Sequence, residues 1–450
     1  MKKKLKDIGL PILCALLVNV IATTFFTYYS FNFIVNLSTF FLIGCFLILL
    51  TLVRSTLNRV LLQCWYYFYL CGILFLNSVS LTDDKLNITN ENADNFYFFC
   101  LIALTCGIIA SERIYRKRYI VLQLPPDTKL NGFFSILALI FPLLFLISTY
   151  LKVGYIMILS GDSIIDEMYT TDYGLLYSYK FFIIISVLVA VYYGLTKKNR
   201  IFYFSCAVSS LLISLIDGKR AIMLTAIIAS LVFYYIYASK YSKINLKVIL
   251  LFLFLTGGAY AGLATLRSGK SNELISVQSI IQKFPFGVEY TDYTYSFEKF
   301  KVGKMKNYDF LQSSFGAFMN GTILDLIGLD KGELVNKGSA KVWMDTYGIN
   351  LGVRTGIVSE LYFDYGYWTV LIFFFIGFYV DLLTRKIYAS KDVFIVILLL
   401  SLYAFNALLI VGQATVFFGS LTLIIYLYIF YRLLELLKRR AVKRAALNLN

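Results

Sequence analysis

Along the chain, apolar stretches close to twenty residues long alternate with short polar or charged connections. They fall at roughly 8–29, 33–53, 60–79, 96–111, 132–151, 178–196, 201–216, 221–239, 248–265, 367–384, 393–412 and 414–432. A helix needs about 20 residues to cross the hydrocarbon core of a bilayer. Lipid offers backbone groups no partner, so each stretch is expected to be a helix that satisfies its own hydrogen bonds. The pattern predicts an all-α polytopic membrane protein of about twelve transmembrane helices. It also divides the chain into spans one to nine over 1–265, a large extracytoplasmic loop over 266–355, and spans ten to twelve with a basic tail over 356–450.

Composition agrees with that pattern. Hydrophobic residues make up 59% of the chain and charged residues 15%, against about 25% charged in a soluble protein. The formal net charge of +16 would suggest nucleic acid in a soluble protein. Here the placement of the charges gives a different reading. With the N-terminus inside, 26 of the 42 Lys and Arg but 6 of the 26 acids fall in the cytoplasmic connections and tails. This is the distribution that sets orientation in a membrane, so the basic excess anchors topology and no nucleic-acid partner is expected. Lys2, Lys3 and Lys4 precede an apolar run from Ile8 that continues past Thr24 with no small-residue cleavage site. That run is expected to remain as the first span, and both termini are expected in the cytoplasm.

The seven Cys (Cys14, Cys45, Cys64, Cys71, Cys100, Cys106 and Cys206) all lie in apolar segments. They argue against a disulfide framework. With no His in the chain and no clustered Cys, no transition-metal site is expected.

The outer connections are uneven. Residues 80–95 form a short acidic loop, 152–177 a medium one, 217–220 a tight turn and 266–355 the long loop. The cytoplasmic connections are all small, which places binding or chemistry outside. Within the long loop, Leu274, Ile275, Val277, Ile280, Ile281 and Phe284 repeat at helical spacing. They read as a surface or packing helix too short to span. Tyr290, Tyr293, Tyr295, Phe297 and Phe300 follow, interleaved with Lys299, Lys301, Lys304 and Lys306. Such rings can stack on sugars, and they equally suit a bilayer interface. Residues 317–347 carry Gly, Asn and Asp at turn-like spacing, as in Leu329-Asp330-Lys331-Gly332.

Two groups of charged residues are candidates for chemistry. Lys219 and Arg220 sit in the tight turn, Arg267 follows the ninth span, and Arg354 opens the segment leading to the tenth. Four cations at one membrane level could converge on an anionic group, and the guanidinium fork suits phosphate. They could also be ordinary interfacial anchors. The second group is Glu360 and Asp364 in the run Arg354 to Gly366. In a helix they share a face at i, i+4, where like charges repel unless a cation intervenes or one carboxyl stays protonated. A carboxylate against apolar walls could serve as a general base. The other reading is a solvated helix start, with acids near the positive end of the dipole. Gly366, Tyr367 and Trp368 predict a turn and an interfacial aromatic belt. Asp217 and Asp381 fall at predicted span ends, so mid-span charges of the kind a transporter uses are scarce. No internal repeat is visible, which counts against an inverted-repeat transporter.

These features together resemble the Wzy-type bacterial polysaccharide polymerases. The resemblance rests on the Gly218-Lys219-Arg220 turn opening an apolar helix, and on Ser359-Glu360-Leu361-Tyr362 with Tyr365-Gly366 followed by Phe373-Phe374-Phe375-Ile376-Gly377. It rests also on the plan of enlarged outer loops within a polytopic bundle. The resemblance implies a GT-C-like helical fold in the bacterial cytoplasmic (inner) membrane. It implies a glycosyltransferase that joins oligosaccharide repeat units carried on undecaprenyl diphosphate into O-antigen, capsule or a related polymer, with no cofactor. On that reading Lys219, Arg220, Arg267 and Arg354 bind the diphosphate. Glu360 is the first choice as base and Asp364 the second, and Tyr293, Tyr295 and Tyr362 meet sugar. Membrane lipid, a chain-length regulator and a flippase are the partners such a protein would have. The related O-antigen ligases typically use an outer-loop His, which this chain lacks. A ligase or other lipid-linked sugar transferase, or a lipid-linked oligosaccharide flippase, is the alternative.

Overall fold

The computed structural model describes residues 33–35, 66, 70, 79–81, 91–115, 130–153, 174–196, 199–214, 221–241, 308–338, 342, 356–390, 392–410 and 414–447. The expected spans at 8–29 and 248–265 and the amphipathic segment at 272–284 lie outside the described residues, as do Lys219, Arg220, Arg267, Tyr293, Tyr295 and Arg354.

The described residues are overwhelmingly helical. Among the described residues, five helices precede the long loop: α1 (Glu91–Tyr115), α2 (Gly132–Val153), α3 (Gly174–Thr196), α4 (Arg200–Ile213) and α5 (Ala221–Tyr241). The described part of the loop holds three short ones, α6 (Phe310–Phe318), α7 (Gly321–Leu326) and α8 (Lys331–Asn336). The chain continues as α9 (Ile357–Tyr365), α10 (Trp368–Ala389), α11 (Val393–Ile410) and α12 (Ala414–Leu447). Stretches Phe96–Tyr115, Gly132–Leu151 and Phe417–Arg440 are each long and apolar enough to cross a membrane.

Four elements depart from expectation, each for a physical reason. Phe33–Val35, expected to open the second span, is a strand (β1) paired antiparallel with Val79–Leu81 (β2), with Ile34 opposite Ser80. Both strands follow the outer end of an expected span, so a short ladder there pairs backbone groups as the chain turns. Helix α1 starts at Glu91, inside the expected acidic loop, because Glu91 and Asp94 suit the positive end of the helix dipole. Among the described residues of 317–347, two of the turn signals are helix caps. Asn320 accepts from the Thr322 N–H and Asp330 from the Gly332 N–H, which starts α7 and α8. Finally, α12 runs through the basic tail to Leu447, since its Leu, Lys, Arg and Ala are strong helix formers.

Packing follows the expected alternation of direction. Helices α2 and α3 run antiparallel: Phe141 stacks on Phe182 at 4.4 Å, and the Ser135 and Tyr193 hydroxyls lie 2.7 Å apart. Helices α1 and α10, both expected to enter from the outer side, run in the same sense. Phe96 meets Tyr362 and Tyr367 at one end, and Arg385 donates to the Tyr115 carbonyl at the other. Phe134, Phe394 and Tyr431 belong to the expected inner ends of three spans, and they meet: Phe394 stacks on Tyr431 at 3.6 Å, and Phe134 sits edge-on to Phe394 at 4.9 Å. The buried Tyr66 hydroxyl donates across the bundle to Asn406 Oδ1 at 2.9 Å, while Thr105, Thr149, Thr384 and Ser401 donate to carbonyls one turn back in their own helices. Asp381, expected near a span end, is instead fully buried and ion-paired with Arg385, because α10 continues to Ala389.

Candidate functional site

Helix α9 carries both candidate carboxylates and is bounded by glycines at positive φ, Gly356 at 77° and Gly366 at 52°. A Cβ at Gly366 would touch nothing within 4 Å, so the residue is required by conformation and not by space. Gly366 ends α9 and turns the chain into α10, with Tyr367 and Trp368 exposed at the corner, where an interfacial aromatic belt is expected.

The i, i+4 relation of Glu360 and Asp364 holds, but their environments differ sharply. Glu360 is 1% exposed, on the face of α9 formed with Ile357, Val358 and Leu361. The neighbouring Ser359 hydroxyl lies 3.3 Å from the Tyr97 hydroxyl of α1. Asp364 keeps contact with solvent at the other end of the turn. Its Oδ2 accepts the Phe310 N–H at 2.6 Å, and this bond joins α9 to the first residue of α6. Burial of the carboxyl pushes Asp364 up to about 6; the Phe310 N–H pulls it down and the Asp309 charge raises it.

Tyr308 completes the cluster. The sequence pattern did not single it out. Its ring is buried 5.3 Å from Phe363. Burial, followed by the charges of Glu360, Asp364, Tyr365 and Asp309, holds its phenol well above the usual range. Tyr365 is pushed up to about 12 by burial and the charges of Asp364 and Asp309. The signal that could have found Tyr308 is Asp309 immediately before an apolar helix. Asp309 caps α6 by accepting the Gln312 N–H at 2.8 Å, and its own N–H donates to the Lys337 carbonyl at 3.1 Å. Tyr308 is thereby fixed between α6 and α9.

Tyr362 turns away from this cluster. It packs edge-on against Phe96 at 4.7 Å and Tyr367 at 6.1 Å. The structure therefore brings Glu360, Asp364 and Tyr308 together where loop helix, α9 and α10 join. Glu360 thus lies in a dry setting, while Asp364 ties α9 to the loop helix α6.

A helical integral membrane protein with a buried carboxylate at the junction of a long loop and a span is the class these features define. A sequence profile described as "O-antigen polysaccharide polymerase Wzy" matches residues 12–444, nearly the whole chain, and the chain belongs to that family. No curated protein and no solved structure shows a significant match.

Proposed function

We propose that this protein lengthens a surface polysaccharide at the outer face of the bacterial cytoplasmic membrane, joining oligosaccharide repeat units carried on undecaprenyl diphosphate. Family membership supports the polymerase reading. The observation that carries the chemistry is Glu360, buried on α9 one turn from the Asp364 contact with the loop. In this reading the acceptor sugar's hydroxyl oxygen attacks the anomeric carbon of the growing chain. The carbon–oxygen bond to the diphosphate breaks, and the lipid diphosphate leaves with the bonding pair. Glu360 takes the hydroxyl proton, with Asp364 as the second choice for that role. Lys219, Arg220, Arg267 and Arg354 hold the diphosphate and stabilise the charge that develops on its bridging oxygen. Tyr293 and Tyr295, and at the edge of the site Tyr362, meet sugar. A flippase would supply the repeat units and a chain-length regulator would act on the product.

The test is a polysaccharide ladder scored beside membrane protein level. Loss of a general base costs about 10²–10⁴-fold in rate, so Glu360→Gln should leave single repeat units at normal protein level. Arg220→Ala and Arg354→Ala should shorten or abolish the ladder. A full ladder from Glu360→Gln removes the base, and full ladders from both arginine variants remove the diphosphate site. A wild-type ladder with polymer left unattached to its final acceptor would instead mark a ligase.

A further inference from the structure

The chain from Phe310 to Asn336 belongs to the connection counted as an outer loop, yet its contacts with α12 set its depth. Phe310 meets Phe418 at 6.4 Å, the Thr422 hydroxyl donates to the Phe318 carbonyl, and the Asn320 amide donates to the Tyr426 hydroxyl at 3.4 Å. The partners move down α12 as the residue numbers rise, so α6 descends alongside it. The chain then returns, because a Cβ at Gly338 would lie 3.2 Å from the Thr415 methyl.

The apolar span of α12 begins at Phe417. Tyr426 lies nine residues beyond it, which is about 14 Å along the helix axis. The hydrocarbon core is about 30 Å thick. Tyr431, five residues further, already stacks with Phe394 at the expected inner ends of the spans. The turn at Met319–Asn320 therefore sits at bilayer depth. Around that turn large apolar side chains are exposed, Leu326 at 82% with Ile323, Ile327 and Leu329, beside the polar Asn320, Thr322, Asp325 and Asp330. Ile425 and Ile429 of the span itself are exposed as well.

We propose that Phe310–Asn336 is a re-entrant helical hairpin that enters the membrane from the outer side along α12, with Ile323, Leu326, Ile327 and Leu329 against lipid hydrocarbon. Backbone at that depth must find its partners within the protein, and it does. Asp309, Asn320 and Asp330 cap the three helices, and Lys331 Nζ donates to the Met319 carbonyl at 2.9 Å. The close fit of the two limbs is set at Gly316, where a Cβ would lie 2.5 Å from Leu334 Cβ. Asp325, Asp330 and Glu333 are exposed on the same limbs and require water within reach, which a hairpin open to the outer side provides.

The test uses the full chain in its native membrane. A diazirine amino acid replaces Ile323, Leu326 or Ile327 in turn, and the products of illumination are weighed by mass spectrometry. These side chains are exposed, so the replacement disturbs no packing. The hairpin predicts that the main product at Leu326 and at a second of these positions gains the mass of one phospholipid. Water-insertion or peptide adducts as the main product at all three positions would overturn it. The reading stands or falls independently of the polymerase chemistry, since no turnover is measured.

Discussion

Gly107 of α1 and Gly377 of α10 lie at a contact where the two helix backbones touch. A Cβ at Gly107 would fall on the carbonyl oxygen of Phe374, and one at Gly377 on that of Leu104. Small residues let membrane helices approach this closely, where apolar side chains gain nothing over lipid. The contact holds α10 against α1, and α10 continues from Gly366 and α9, so it also positions Glu360.

Gly107→Ala and Gly377→Ala should each push the helices apart. Overpacking of this kind costs about 1–3 kcal/mol. Thermal unfolding of the solubilised protein should show a lowered midpoint for both. Because the two sites share one contact, the double variant should lose less than the sum. Wild-type midpoints for both single variants would mean the backbones do not touch.

Asp364 should make stability depend on pH. Its carboxyl is raised from 3.8 to about 6 by burial, so the folded state favours the protonated form. The stabilisation from this group is complete below about pH 4 and fades as pH rises through about 6. Asn at this position still accepts the Phe310 N–H but does not titrate. The midpoint difference between Asp364→Asn and wild type should therefore shift in favour of Asn between pH 4 and 7. A difference that is flat with pH would refute the raised carboxyl.

Asp381 and Arg385 pair one turn apart within α10, and Arg385 also donates to the Tyr115 carbonyl at the far end of α1. Arg385 Nε lies 2.6 Å from Asp381 Oδ2, with side chains 11% and 0% exposed. Removing one partner of a buried pair costs about 3–5 kcal/mol, because the other charge is left in place. Asp381→Asn should therefore lower expression and unfolding midpoint strongly. Replacing both residues by Leu should restore much of the loss. If the double replacement is as unstable as the single, the pair itself contributes stability.

Much of the bundle was legible because a membrane leaves the chain few choices. The run at 132–151 became Gly132–Val153 and the run at 393–412 became Val393–Ile410, since an apolar stretch in lipid must close its own hydrogen bonds. The i, i+4 relation of Glu360 and Asp364, which the sequence offered on condition of a helix in the run Arg354 to Gly366, is equally local, and Ile357–Tyr365 is that helix. Tyr308 was not legible. Its place beside Glu360 depends on the Asp364–Phe310 bond, whose two residues are 54 positions apart. Gly377 was visible within a short run of Phe and Ile, but its contact with Leu104 spans two distant helices.

By itself, the order of apolar and charged residues determined the helical class and the positions of the long apolar helices among the described residues. Each of these follows from the free energy of moving one segment between water and lipid, a property of that segment alone. Only the tertiary structure decided that Glu360 is shut off from solvent while Asp364 is only partly so, that Tyr308 joins them, and that the loop descends along α12. Those outcomes depend on which surfaces meet, and no local pattern encodes the partner.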